Sequence, residues 1–219
     1  MTAISNSRRA WAKGFPPVEP RRARVLILGT LPSAESIRRG EYYAHPRNAF
    51  WPLMGELFGA GRDLPYPARL RRLAARGVML WDVLQAAHRP GSLDSAIHPR
   101  RLEPNAIPEL LARHPELEKI VFNGAPAEAL FRRHVAWKCG ANLQNRDQVR
   151  LPSTSPAHAS RTFAQKLAAW RQALAHSPGS SGGVPGPVSG IPYPRNGRIQ
   201  PGAAGPLRGR AAAPRLKRG

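Results

Sequence analysis

Four places in this chain collect side chains able to stack on a flat ring, hydrogen-bond its edge and hold phosphate. Gly29-Thr30-Leu31-Pro32-Ser33-Ala34-Glu35-Ser36 follows a first apolar run, and GEYYAHPRNAFWPLMGELFG (40–59) comes soon after it. Asp82 lies within a second run, with Gly91-Ser92-Leu93-Asp94-Ser95 further on; Asn123-Gly124 ends a third, and Pro152-Ser153-Thr154-Ser155-Pro156-Ala157-His158 follows a fourth. Amides, hydroxyls and aromatic rings dominate, carboxylates are few, and the spacing of metal ligands is absent. This inventory suits a pocket that stacks a heterocycle on a ring and reads its edge with an amide, while small hydroxyls and backbone N–H groups hold phosphates. Neither GxGxxG nor GxxxxGK[ST] follows any of the runs, which argues against dinucleotide and P-loop chemistry.

The elements that must carry these stretches alternate. Arg24–Gly29, Gly77–Leu84, Lys119–Phe122 and Gln148–Leu151 read as strands, the first a continuous apolar run of the kind buried on both faces. Helical periodicity covers 50–58, 68–76, 106–113, 125–135 and 160–175, the last with Phe163, Leu167, Trp170 and Leu174 on one face. Such alternation predicts an α/β fold, a parallel sheet with helices on both sides and a ligand site at the carboxyl ends of the strands. Within 40–59, the neighbours Tyr42-Tyr43 and Phe50-Trp51 follow neither the strand nor the helix period. A segment that both lines a pocket and starts a helix cannot keep one period; Trp51 is expected in the core.

Lys plus Arg number 34 against 13 Asp plus Glu, a formal charge of +21, spread as Arg pairs along the chain. A surface of this kind attracts polyanions, of which a phosphate backbone is the commonest. The single cysteine, Cys139, excludes a disulfide framework, a Cys-based zinc site and a four-cysteine cluster, and fits a reducing, cytoplasmic setting. The first residues lack the apolar core of a signal peptide, and no apolar run approaches the roughly 20 residues that span a bilayer, so no membrane partner is expected. Composition divides the chain into an N-terminal arm (1–22), a folded unit (23–176) and a basic tail (177–219) rich in Gly, Pro and Arg that is expected to be disordered.

The run GTLPSAES, YYAHPRNAFW, GVMLWDVL with GSLDSAI, VFNG and LPSTSPAHA resembles the deoxyinosine (hypoxanthine) DNA glycosylases, a branch of the uracil-DNA glycosylase superfamily. The resemblance extends over about 24–174. It implies a three-layer α/β/α fold around a four-stranded parallel sheet, and a monofunctional enzyme that flips a deaminated base from double-stranded DNA and hydrolyses its N-glycosidic bond. Hypoxanthine is the expected base, with uracil or xanthine as further substrates. Two rivals share the same residues: a catalytically silent nucleic-acid-binding module, and a uracil-preferring glycosylase. The enzyme would act as a monomer without metal or cofactor, and no lysine in the motifs offers a Schiff base.

By the resemblance, Asn48 positions the attacking water or steadies the bond-breaking geometry, and Asn123 hydrogen-bonds the edge of the flipped base. The plain alternatives are a helix cap for Asn48 and a turn residue for Asn123. Tyr42, Tyr43 or Phe50 supplies the stacking wall, with Leu31 in the same pocket. Leu31 stands where several relatives carry an asparagine or aspartate that handles water, which moves that task to Asn48 or to backbone carbonyls. Ser33, Ser153, Thr154, Ser155, Pro156 and His158 are expected along the DNA backbone. Asp82 reads as structural and Asp94 as a residue that orders its loop.

Overall fold

The computed structural model describes residues 11–175. Its centre is the four-stranded parallel sheet expected from the apolar runs: β2 (Val25–Gly29), β3 (Val78–Asp82), β6 (Lys119–Asn123) and β7 (Asp147–Leu151), ordered β3-β2-β6-β7. Val25 pairs with Val78 on one side and with Lys119 on the other, so β2 lies inside the sheet. Leu26 and Leu28 face one layer with Met79, Ile120 and Phe122, while Val25 and Ile27 face the other with Val78, Leu80 and Val121. These side chains are almost wholly removed from water, each contributing about 1.5–3 kcal/mol of apolar burial.

One layer of cover is α4 (Ile107–Arg113), α5 (Ala125–His134) and the short α6 (Ala136–Cys139); the other is α2 (Phe50–Phe58), α3 (Tyr66–Ala75) and α7 (Phe163–Ala175). Trp51 and Trp170 are fully buried, and their indole N–H groups donate to Tyr42 O (2.9 Å) and Pro152 O (3.0 Å). Trp170 and Leu174 carry the buried face of α7, whereas Phe163, expected on it, opens the first turn and is 43% exposed.

Three features depart from the expected element list. The run 77–84 is two strands in two sheets: β3 ends at Asp82, and β4 (Leu84–His88) pairs antiparallel with β1 (Trp11–Lys13) and β5 (Leu102–Pro104). The break falls where Val83 N and Leu84 N cross the end of β2 and donate to Gly29 O (2.9 Å) and Thr30 O (3.1 Å). A six-residue helix, α1 (Ala34–Arg39), follows β2 and is capped by Ser33. Residues 15–18 strap the edge of β3: Val18 exchanges backbone hydrogen bonds with Leu80, and Phe15 O accepts from the Trp81 indole. The tail, 177–219, and residues 1–10 lie outside the described residues.

The chain runs from β2 to β3 on one side and returns to β6 on the other, so the loops after β2 and β6 diverge. In open parallel sheets a crevice for ligand forms at such a reversal.

Candidate functional site

A cleft of about 730 Å³ opens at this reversal, above the carboxyl ends of β2, β3, β6 and β7. Its floor depends on Gly29. A Cβ there would collide with Asp82 Oδ1 and come within 3.1 Å of Tyr43 Oη, so only glycine lets these two groups close over the strand end. On the far side Gly124, at φ +103°, leaves room for Ser153, whose Cβ would stand 2.7 Å from a side chain at 124. Both Asn48 and Asn123 line the cleft.

Asn48 precedes α2. Its Oδ1 accepts from Phe50 N (2.9 Å), a turn contact one residue ahead of the helix's N-cap, Ala49, which has no side-chain cap bond. That bond also fixes the rotation of the amide, and among the described residues Nδ2 makes no protein hydrogen bond. The Arg62 guanidinium clamps the turn by donating to His45 O (2.8 Å) and Asn48 O (3.0 Å).

Asn123 ends β6, 8% exposed. Its Oδ1 accepts from Thr154 N (2.8 Å) and its Nδ2 donates to Thr154 Oγ1 (2.9 Å). One lone pair and one N–H are spent on Thr154, leaving one of each with the orientation already set. Thr154 is therefore no phosphate contact: it is 1% exposed, and its carbonyl accepts from Ala49 N (2.9 Å), tying β7's loop to the start of α2. Polar loop composition signalled an exposed residue, and the amide of Asn123 overrode it.

The rest of that loop is turned by its own hydroxyls. Ser153 Oγ accepts from Ser155 N and Ser155 Oγ from Ala157 N, both at 3.2 Å. Pro156 is exposed, and the half-buried His158 ring reaches Ser160 Oγ at 3.4 Å. Lys166 of α7 donates to His158 O (2.8 Å) and pins the loop from outside. Ser153, Ser155 and His158 line the cleft. Ser33 lines it too, although its Oγ is engaged by Ser36 N (3.2 Å) as the cap of α1.

Tyr42 and Tyr43 both line the cleft with ring centroids 6.1 Å apart, and Tyr43 adopts φ +55°, the only non-glycine residue with positive φ among those described. Such a left-handed turn costs roughly 1–2 kcal/mol and is characteristic of functional positions. Tyr42 enters the core, its hydroxyl donating to Pro16 O (3.2 Å). Tyr43 reaches the cleft with its ring stacked on Phe50, centroids 3.9 Å apart and planes 20° from parallel. Phe50 is fully buried and backs Tyr43 without reaching the cleft, so the direct stacking surface is Tyr43. Leu31 is buried and contributes apolar wall.

Beneath this floor lies a set of charged groups, of which sequence reasoning read Asp82 as structural and Asp94 as ordering its loop, and passed over Arg89. Asp82 pairs in register with Gly29, is 3% exposed, and its Oδ2 is buried with no hydrogen-bond partner, as is Tyr43 Oη. Loss of water, reinforced by the nearby Asp94 carboxylate and opposed by Arg89, pushes the Asp82 carboxyl up to about 8. Burial likewise raises the Tyr43 phenol, with Asp82 adding to it and the Asn123 amide working against it. Arg89, itself buried, donates to Leu31 O (3.2 Å) and Pro32 O and lies 4.0 Å from Asp94. Burial raises Asp94 as well, while a hydrogen bond from Thr30 and the charge of Arg89 lower it. Asp94, its side chain 35% exposed, joins the buried Asp82 and Arg89 in a group of two acids and one cation. The available signal was an acid closing an otherwise apolar strand, Val-Met-Leu-Trp-Asp.

The rim carries Arg150 and Arg161, and Leu93 stands at the mouth, 58% exposed. No lysine among the described residues lines the cleft. Among the described residues no group of three or more His, Cys, Asp or Glu side chains could hold a metal ion, and no helix is long and apolar enough to cross a membrane.

Comparison with known proteins places this geometry. Residues 16–176 match the uracil DNA glycosylase superfamily. A protein of Methanosarcina acetivorans named hypoxanthine DNA glycosylase is 41% identical over 116 residues, 52% of this chain and 72% of the relative. Another of that name from Methanosarcina barkeri is 39% identical over 113 residues, 51% of this chain and 70% of the relative. A solution NMR structure from Methanosarcina acetivorans, described as a candidate uracil DNA glycosylase, superposes with a TM-score of 0.59 at 36% identity. The match covers 76% of this chain and 99% of that one.

Proposed function

The chain belongs to the uracil DNA glycosylase superfamily, and from that premise we propose that it is a monofunctional DNA glycosylase that excises hypoxanthine from double-stranded DNA. The observation that carries the reading is the convergence of Asn48, Asn123 and Tyr43 on one cleft at the strand ends. A nucleotide rotated out of the duplex enters with its base against Tyr43, which Phe50 holds from behind. A mispaired deaminated base is cheaper to extract than a paired normal one, by up to a few kcal/mol, so part of the selectivity resides in the duplex.

In this reading Asn123 offers the base edge one donor and one acceptor that Thr154 has oriented in advance, and its N–H bond strengthens as negative charge gathers on the leaving heterocycle. Asn48, its amide fixed by Phe50 N, holds the water that attacks C1′ as the glycosidic bond lengthens. An uncharged amide suffices because departure of the base leads and the sugar is already cation-like. Water is the nucleophile and the product an abasic site. Arg150 and Arg161, with Ser153 and Ser155, lie where the backbone flanking the extruded nucleotide would run.

The test is a duplex carrying one inosine, incubated with the protein and heated in alkali. Strand breakage at the inosine is expected, and Asn48→Ala should nearly abolish it while leaving binding to an abasic duplex intact. Retention of the duplex on a gel without breakage would make the protein a binding module instead. Uracil and xanthine duplexes run alongside rank the substrates.

A further inference from the structure

Resting on the hypoxanthine reading, we propose that Asp82 is a catalytic acid: its carboxylic O–H donates a proton to a ring nitrogen of the departing purine. The position is built for a group that meets a ligand. Asp82 lines the cleft, its backbone carbonyl is held by Asn105 Nδ2 (2.8 Å), and its Oδ1 sits over the Cα of Gly29, where any side chain would displace it. Oδ2 and the adjoining Tyr43 Oη are buried and lack protein partners. Each such orphan costs about 1–3 kcal/mol, an expense that a purely structural aspartate would have no reason to sustain.

The charges around it explain how an aspartate comes to hold a proton. From the end of β4 comes Arg89, from the short turn Asp94–Ala96 comes Asp94, and from the loop before α2 comes Tyr43; Tyr42 and Tyr66 also feel Asp82 and stay neutral phenols. One cation serves two acids. Arg89 stands 4.0 Å from Asp94 and spends its Nη donors on Leu31 O and Pro32 O. Its charge offsets one carboxylate, and Asp82, the more deeply buried of the two, keeps its proton.

The chemistry balances. As the C1′–N9 bond breaks, its electron pair passes to the purine; the Asp82 O–H bond breaks and an N–H bond forms on the base, which leaves neutral. Water adds its oxygen to C1′, and the proton it sheds restores the Asp82 carboxyl, so one water is consumed per base released. The acid assists most where the leaving group has a basic ring nitrogen, which hypoxanthine has and uracil lacks. General acid catalysis of this kind contributes typically about 10²–10⁴-fold.

The experiment is single-turnover release of hypoxanthine by the full chain from pH 6 to 9.5, with wild type and Asp82→Asn, on inosine, 7-deazainosine and 3-deazainosine duplexes. The wild-type rate should stay level to about pH 8 and fall tenfold per pH unit above it. Asp82→Asn should be slower by about 100-fold or more, without the alkaline fall. Removing the ring nitrogen that takes the proton should slow the wild type comparably, so one of the two deaza substrates should react poorly. A wild-type profile level to pH 9.5, equal rates on all three duplexes, or an Asp82→Asn rate within threefold of wild type would overturn the proposal. The pH profile and the deaza substrates need no variant, so they decide even if the substitution fails to fold. Absence of hypoxanthine release by wild type at every pH would instead remove the glycosylase reading on which the proposal rests.

Discussion

Replacing Asp82 by asparagine should make the protein more stable, by an amount that depends on pH in a defined way. In the fold the carboxyl is pushed up to about 8 from an ordinary 3.8. Between these values the native state holds a proton that the unfolded chain has shed, so wild-type stability falls as pH rises from about 4 towards 8 and levels off above. Each pH unit in that window is worth about 1.4 kcal/mol. Asparagine carries no such proton and keeps nearly the shape of the neutral acid. The gain of Asp82→Asn over wild type should therefore be close to zero at pH 4, on the order of 4 kcal/mol at pH 7 and on the order of 6 kcal/mol at pH 8.5. Urea unfolding of both proteins at these three pH values measures it, with the m-value checking that the unfolded states match. A pH-independent difference would refute the reasoning, and so would a variant less stable than wild type at pH 8.5. Joined to the expected loss of activity, a stability gain at the same residue would mark Asp82 as a group kept for chemistry at the expense of the fold.

Gly29→Ala should force Asp82 and Tyr43 off the strand end; a destabilisation on the order of 2 kcal/mol and loss of cleavage are expected, read by urea unfolding and the alkali assay, and a wild-type result would show that the close approach is dispensable. Leu93 stands exposed at the mouth on a loop that Ser92 ties to Ala34 N (3.0 Å), and in the proposed reaction it would fill the gap left by an extruded nucleotide. Leu93→Ala should change stability by less than about 0.5 kcal/mol and slow duplex cleavage about tenfold, as loss of one to two kcal/mol of apolar burial requires, while single-stranded cleavage stays unchanged; equal effects on both substrates would place Leu93 elsewhere in the mechanism. Binding to an abasic duplex should weaken by about 10³-fold between 50 and 200 mM salt if some six phosphates are covered, and a flat response in a titration would contradict a backbone-directed basic surface.

The parallel sheet was legible because Val25–Gly29 and Lys119–Asn123 are apolar on both faces, and few other environments accept such runs. The break at Val83 was not, since Val-Met-Leu-Trp-Asp-Val-Leu stays apolar while changing sheets, and periodicity reports burial without reporting which sheet does the burying. β1, three residues long, and α1, six, are too short to show a period. At the cleft, the broken period of Tyr42-Tyr43 was a true signal: with Tyr43 left-handed, the two neighbouring rings lie 6.1 Å apart, Tyr42 buried and Tyr43 stacked on Phe50. Thr154 and Phe50 were misplaced for a shared reason: exposure is decided by long-range partners, Asn123 for one and Tyr43 with Trp170 for the other. Asp82 looked structural because an aspartate that closes a strand usually is. Its unpaired oxygen becomes visible only when Gly29, Tyr43 and Arg89 are assembled around it.

The walls of the cleft are cross-tied: Thr154 to both Asn123 and Ala49, Pro152 to Trp170, His158 to Lys166, and the Asn48 turn to Arg62. A receptacle so braced resists widening, and in the proposed reaction its shape would be ready before DNA arrives. Under the proposed reaction, initial opening would then be left to the helix itself, and the frequency with which a weak pair opens spontaneously would set how often a lesion is caught. Turnover on different lesions would follow the lifetime of their closed pairs, so that the partner opposite the damaged base matters as much as the damage.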